Sequence, residues 1–295
     1  MELKFFTGLY EAAAFFYIYG VLGWCVEVAY AAVKQGKFIN RGFLNGPICP
    51  IYGVGVVLVI YCLGEVRGNL LVLYAASIAL VTVIEGITGF VMDKMFHHKW
   101  WDYSNQPLNI GGYVCLVFSL IWGVFCVFIM KVFQPVVSGA VVHIPIVIGL
   151  IVLSVCTAGM AADLYVTAAA VLKLNKRLEA MDRIAAELHE LSDRMGENIY
   201  ENVRDGMERE EKLKDKVECA KEAGRGLKAE YDAEIRIRYE ELQAKREELR
   251  RRYEKVLQER GAVGERLIRA FPGMESRRYK AALLELKENI RSRKK

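Results

Sequence analysis

The sequence predicts an all-α integral membrane protein: a five-helix transmembrane bundle followed by a cytoplasmic coiled-coil or helical tail. Three observations predict it. Residues 1–172 carry only eight Lys/Arg and eight Asp/Glu, whereas residues 173–295 hold the remaining 32 basic and 27 acidic residues. A soluble protein spreads charge over its whole surface, so this segregation means two different solvents. Within the first part lie five apolar runs of a length suited to a ~30 Å hydrocarbon core at ~1.5 Å rise per residue. In the second part apolar residues recur in heptads between dense charges. The domain limits follow: a transmembrane domain over 1–172, a coiled coil over 173–260 and a basic amphipathic segment over 261–295.

The runs fall near 9–33, 48–63, 70–92, 112–131 and 144–170. None alternates with period two, and backbone inside lipid must satisfy its own hydrogen bonds, so each is read as a helix. The first run contains Glu11 and Glu27 and shows no small-residue cleavage site, so it reads as a retained span and not a signal peptide. The second, shortest run begins near Pro47 and Pro50, because proline suits a helix's first turn and pushes the preceding residue away from helix. Loops 34–47 and 93–111 and the tail carry Lys34, Lys37, Arg41, Lys94, Lys99, Lys173, Lys176 and Arg177. The opposite side has only Lys4, Arg67 and Lys131, so the positive-inside rule places the N-terminus outside and the C-terminus in the cytoplasm of a multi-pass cell-membrane protein. The seven cysteines show no C-x-x-C pair and no metal-ligand spacing, which fits small buried hydrophobes in a reducing setting.

Two loops are too specific to be linkers. The first runs Asn40-Arg41-Gly42-Phe43-Leu44-Asn45-Gly46-Pro47 into the second span. A helix N-terminus there favours anions, with Arg41 beside it, although a tight turn with Arg41 snorkelling to head groups fits as well. The second loop contains His97-His98-Lys99-Trp100-Trp101-Asp102-Tyr103-Ser104 and ends at Asn109. Paired tryptophans suit an interface belt. Adjacent histidines on a helix point ~100° apart, so the pair is a weak metal signal, and neither metal nor cofactor is expected. The belt leaves unexplained the polar stretch from Asp102 to Asn109, which suits a site gripping a polar group at membrane depth.

Two glutamates sharpen the site. Glu27 precedes the cytoplasmic end of its run by six residues and Glu85 by seven, so both lie roughly 9–11 Å below the boundary. Carboxylates at that depth face the bundle interior and need a partner. The structural alternative is a pair with Arg41 or Lys34. Glu11 and Asp163 sit nearer span ends, can reach water, and are left out. The candidate ligand-binding set is Glu27, Asn40, Arg41, Asn45, Glu85, Trp101, Asp102, Tyr103, Ser104 and Asn109.

These residues carry a resemblance. The G-W-x-x-E at 23–27, the N-R-G-F-L-x-G-P-x-C-P-I-Y-G at 40–53 and the W-W-D-Y-S…N at 100–109 resemble the putative ABC-transporter type IV permease family, of CmpB type. The resemblance covers roughly residues 15–135 and implies an integral-membrane permease working with a separate ATPase. The chain contains no G-x-x-x-x-G-K-[ST], so ATP hydrolysis would belong to that partner, and the chain itself is not expected to be an enzyme.

The tail has one seam through Leu174, Met181, Leu188 and Met195 with Leu178 and Ala185 at the companion position. A second passes through Ile235, Leu242, Leu249 and Val256, flanked by Tyr239 and Tyr253. The seams suit a homodimer or two helices folded back on each other. No Gly or Pro falls between Gly159 and Gly196, so the last span should continue into the first seam. Tyr279, Leu283, Leu286 and Ile290 form one apolar face of a basic helix, fit for anionic lipid or a partner's groove. No aromatic-basic platform for nucleic acid accompanies it.

Three functions are consistent with this reading. The leading one is a permease-like subunit with a cytoplasm-facing polar pocket, surrounded by membrane lipids. The others are a membrane enzyme or binding protein acting on a lipid head group, with two carboxylates as acid and base, and a coiled-coil scaffold.

Overall fold

A computed structural model describes residues 2–214 and 221–293. Helix α1 (Glu2–Gln35) ends at Gly36, whose φ of +66° closes the helix while its amide donates to Ala32 O at 2.9 Å. Helix α2 (Pro50–Leu63) opens as the sequence suggests: Cys49 is extended and Pro50 occupies the first turn. Asn69 caps α3 (Leu70–Phe96), its side chain accepting from the amides of Leu71 and Val72.

The fourth run differs from expectation. Helix α4 (Leu116–Phe128) passes through a π-turn at Ile129–Phe133 into α5 (Gln134–Val142), so most of the expected loop 132–143 is helical. Pro135 supplies the reason: its ring has no N–H and crowds the carbonyl four residues back, and a wide turn relieves both. Helix α6 (Ile146–Lys214) runs from the fifth apolar run into the charged part without a break, as the lack of Gly and Pro predicts. Helices α7 (Lys221–Gln258), α8 (Ala262–Ala270) and α9 (Lys280–Ser292) follow.

Four helical stretches are long and apolar enough to cross a membrane: Thr7–Lys34, Leu70–Phe96, Leu116–Val142 and Ile146–Glu197. The apolar α2 has 14 residues and so a length of ~21 Å, less than a bilayer core.

The chain divides into two units, Met1–Asn175 with Gly261–Leu283, and Lys176–Arg260 with Leu284–Lys295. In the first, α1 and α2 approach at glycines. A Cβ on Gly23 would lie 2.4 Å from the Tyr52 ring, and one on Gly53 would lie 2.5 Å from Phe16 O. Small residues at such crossings are how membrane helices pack without a hydrophobic drive between them. One apolar cluster joins Tyr10, Phe15 and Tyr19 of α1 to Val56 of α2 and Val141 of α5. A second joins Val59, Leu73, Cys126 and Met130. Large apolar side chains such as Val147, Ile151, Val155 and Tyr165 face outward, as lipid-facing residues do.

In the second unit α6 and α7 share a cluster of Ile184, Leu191 and Leu249 with Leu188, Leu242, Tyr253 and Val256 against it. The seam residues Met181, Leu188 and Met195 are covered, but the companion positions are Ile184 and Leu191; Ala185 and Ser192 are exposed. Companions three or four residues after a seam residue both keep one stripe; Leu178 is buried as expected, and the stripe then takes the larger apolar Ile184 and Leu191 in place of Ala185 and Ser192. Arg177 donates to the carbonyls of Val256 and Leu257, acceptors in the last turn of α7. Leu286 and Ile290 of α9 are buried, so that apolar face is already covered within the chain. Cys219 lies outside the described residues.

Candidate functional site

The first loop is a wound knot of backbone held by amides. The Asn40 side-chain oxygen accepts from Trp24 Nε1 (2.8 Å) and the Gly42 amide (3.0 Å), and its nitrogen donates to Asn45 O (2.7 Å). Asn45 is fastened to α6: its amide and side-chain nitrogen donate to Asp163 Oδ1, and the side chain also reaches Thr167. Gly46 N donates to Asp163 Oδ2 at 2.7 Å. From the C-terminal segment, the Arg266 guanidinium donates to the carbonyls of Asn40, Gly42 and Phe43. Arg41 turns toward α1. Its Nε lies 3.4 Å from Glu27 Oε2, and its guanidinium sits over the Tyr30 ring at 5.1 Å. Glu27 Oε1 accepts from Tyr52 Oη at 2.7 Å. Arg41 thus meets a carboxylate, not an anion at the start of α2.

The second loop folds on itself. Strands β2 (Asn109–Ile110) and β3 (Val114–Cys115) pair antiparallel, and β1 (His98–Lys99) pairs with β4 (Glu275–Ser276). Asp102 accepts from the Ser104 amide (3.0 Å) and hydroxyl (2.5 Å) and faces Lys99 Nζ at 3.3 Å. Burial opposes the Asp102 charge, but the Ser104 hydroxyl and amide and then Lys99 outweigh it and hold the carboxyl below its usual range. Asn109 donates to the carbonyls of Ser104 and Gln106 and accepts from Gly112 N. Gly112 is forced: its φ is +75°, and a Cβ would meet Asp102 Oδ1 and Ser104 Oγ, each at 2.5 Å.

The tryptophans do not form a belt. Trp100 is 5% exposed and packs edge-on against Phe43 and Phe271. Trp101 Nε1 donates to Tyr113 O at 2.9 Å. Beneath them Arg277 grips Asp93 with Nε and Nη2, and Tyr113 Oη donates to the same carboxylate at 2.5 Å. This pairing keeps the Arg277 guanidinium firmly charged and raises the Tyr113 phenol, chiefly through its bond to Asp93.

The two loops meet where Phe43 packs on Trp100, and Tyr103 of the second loop reaches the helices beneath. Its hydroxyl donates to Glu85 Oε1 at 3.2 Å, and its ring stacks on Phe118 at 4.8 Å. Burial first, then the carboxylates of Glu85 and, further off, Glu27, push the phenol above the usual tyrosine range. Tyr52, the partner of Glu27, packs on Trp122 at 5.7 Å. Glu85 is 9% exposed, and its Oε2 has no hydrogen-bond partner among the described residues.

Of the ten residues chosen from sequence, Glu27 and Arg41 pair with each other, and Glu85 and Tyr103 pair with each other. Asn40, Asn45, Trp101, Asp102, Ser104 and Asn109 spend their polar atoms on holding the loops. Sequence reasoning missed Tyr52, Asp163, Arg266 and the Asp93–Tyr113–Arg277 group. One signal was there for Asp163: it precedes the end of its run by seven residues, the same interval as Glu85, so exclusion by depth was inconsistent. Arg266 and Arg277 gave none, because their partners are far away in sequence.

The fold defines a polytopic helical membrane protein with two polar loops fastened to its helices by side-chain hydrogen bonds. The family model described as putative ABC-transporter type IV matches residues 14–168, more than half of the chain, and the chain belongs to that family. No curated protein and no solved structure matches the chain.

Proposed function

We propose that the chain is a permease-like membrane subunit in which Glu27, Arg41, Glu85 and Tyr103 form a cytoplasm-facing polar pocket for one small polar or lipid-linked ligand. The observation that carries this reading is the buried Glu85 carboxylate, bonded to Tyr103 through one oxygen alone among the described residues. Glu27 already has a cation in Arg41, whereas the buried Oε2 of Glu85 lacks a donor. An acceptor buried without a partner costs ~1–3 kcal/mol, and a ligand or proton supplying the donor would recover it. In this proposal the short α2 acts as a fifth span, the N-terminus lies outside and the tail lies in the cytoplasm. ATP would be hydrolysed by a separate subunit, and the tail seams would leave room for a second copy. An enzyme acting on a lipid head group would use the same pocket, because carboxylates with unlike partners suit acid and base roles.

The test is a set of three variants in a cell-based uptake or export assay, paired with head-group analysis of membrane lipids. Glu85→Gln and Arg41→Ala should abolish function while membrane insertion persists, and Glu11→Gln should change little. Equal activity in all three would exclude the pocket. Altered head groups without altered transport would favour the enzyme.

A further inference from the structure

A second polar site lies at the other end of the helices, away from both motif loops. A cleft of about 420 Å³ opens between the end of α2, the turn at Glu65–Gly68 and α5. That volume falls within the range of small-ligand sites, ~300–1,000 Å³. Its polar lining is cationic or neutral: Arg67, Gln134, Ser138 and His143, with no carboxylate among the lining residues. The side chains of Arg67 and Ser138 have no hydrogen bond or ion pair among the described residues. Gln134 is buried, and its Oε1 accepts from Tyr19 Oη at 2.8 Å, so the amide that remains is a donor. His143 is fixed by Nδ1 donating to Gly139 O at 2.6 Å. The opposite wall is apolar, formed by Ile60, Met130 and Val142. The π-turn at Ile129–Phe133 swings Met130 and Gln134 toward this side, a distortion often found at functional sites. A Cβ on Gly139 would touch nothing within 4 Å, so the cleft is open at its centre.

We infer that this cleft binds a phosphate group, carried by an anionic lipid or free in solution, with Arg67 as the charged contact and Ser138 and Gln134 as neutral donors. A guanidinium pairs well with phosphate oxygens, and an apolar wall beside it would take the first methylenes of an acyl chain. The site is independent of the Glu27–Glu85 pocket, so either can fail alone.

The experiment is native mass spectrometry of the full chain in detergent, titrated with short-chain phosphatidylglycerol, short-chain phosphatidylcholine or inorganic phosphate. Arg67→Gln and the cleft-filling Gly139→Leu should each weaken phosphatidylglycerol binding by about tenfold or more, as loss of a charge-assisted contact does. Glu11→Gln should leave it unchanged. Competition by inorganic phosphate would identify free phosphate as a sufficient occupant, and its failure beside lipid binding would identify the lipid. Equal binding of phosphatidylglycerol to the unmodified chain and Arg67→Gln would overturn the inference, as would equal binding of phosphatidylcholine.

Discussion

Asp102 shows how single residues in these loops divide between holding and binding. Its carboxylate accepts from Ser104 twice and faces Lys99, and so spends its charge on the turn. Because its folded pKa lies below the usual ~3.9, it stabilises the loop above that value and loses the contribution as pH falls through the lower folded value. Asp102→Asn should therefore speed amide exchange across residues 99–112 at pH 7. The difference from the unmodified protein should shrink below about pH 4. A difference that persists at low pH would mean the carboxylate charge is irrelevant. Residue identity in the two loops was legible from their Gly, Pro and amide content; residue role was not. Asn40 and Asn109 look like ligand donors in a sequence, and only the paths of the backbone around them show their hydrogen bonds to be used up.

At the scale of elements, the segment Gly261–Leu283 ties both motif loops, Arg266 to the first and Arg277 to the end of α3 beside the second. Asp93 is buried, while Arg277 is half exposed, so truncating the arginine leaves a carboxylate poorly compensated. Arg277→Ala should cost about 1–2 kcal/mol locally, less than a fully buried pair would, and raise exchange in β1 and β4 together. Unchanged exchange there would sever the segment from the loops. The α1–α2 crossing gives a sharper case. Gly53→Val places side-chain atoms against the Phe16 carbonyl and should lower the thermal midpoint in detergent by more than Gly55→Val, whose Cβ meets nothing within 4 Å. Equal midpoints would mean the helices are not so close. Periodicity predicted the long helices well, since apolar runs bounded by Gly36, Asn69 and Pro50 leave little choice. It failed at 132–143, where the gap between two apolar runs was read as a loop and the chain instead widened one turn, and at Ala185, where the seam steps by three and not four.

For the whole molecule, the charge break at Leu172 identified the membrane part from composition alone, and the match to residues 14–168 falls on that part. The C-terminal segment escaped the same reasoning: its basic, amphipathic helix suggested a lipid surface, yet Leu267, Leu283 and Leu286 are buried within the chain. Amphipathicity tells which face is covered, not by what. The proposed orientation predicts that single cysteines replacing Lys4 and Arg67 label from outside intact cells and one replacing Lys99 does not; the reverse pattern would invert the topology.

The central claim, one ligand pocket shared by Glu27 and Glu85, is tested most directly by small-molecule and lipid analysis of the purified full chain. The unmodified protein and Glu11→Gln should carry the same bound species after exhaustive washing. Glu85→Gln, shape-preserving but uncharged, should lose it. An identical complement of bound species in all three proteins would contradict the account.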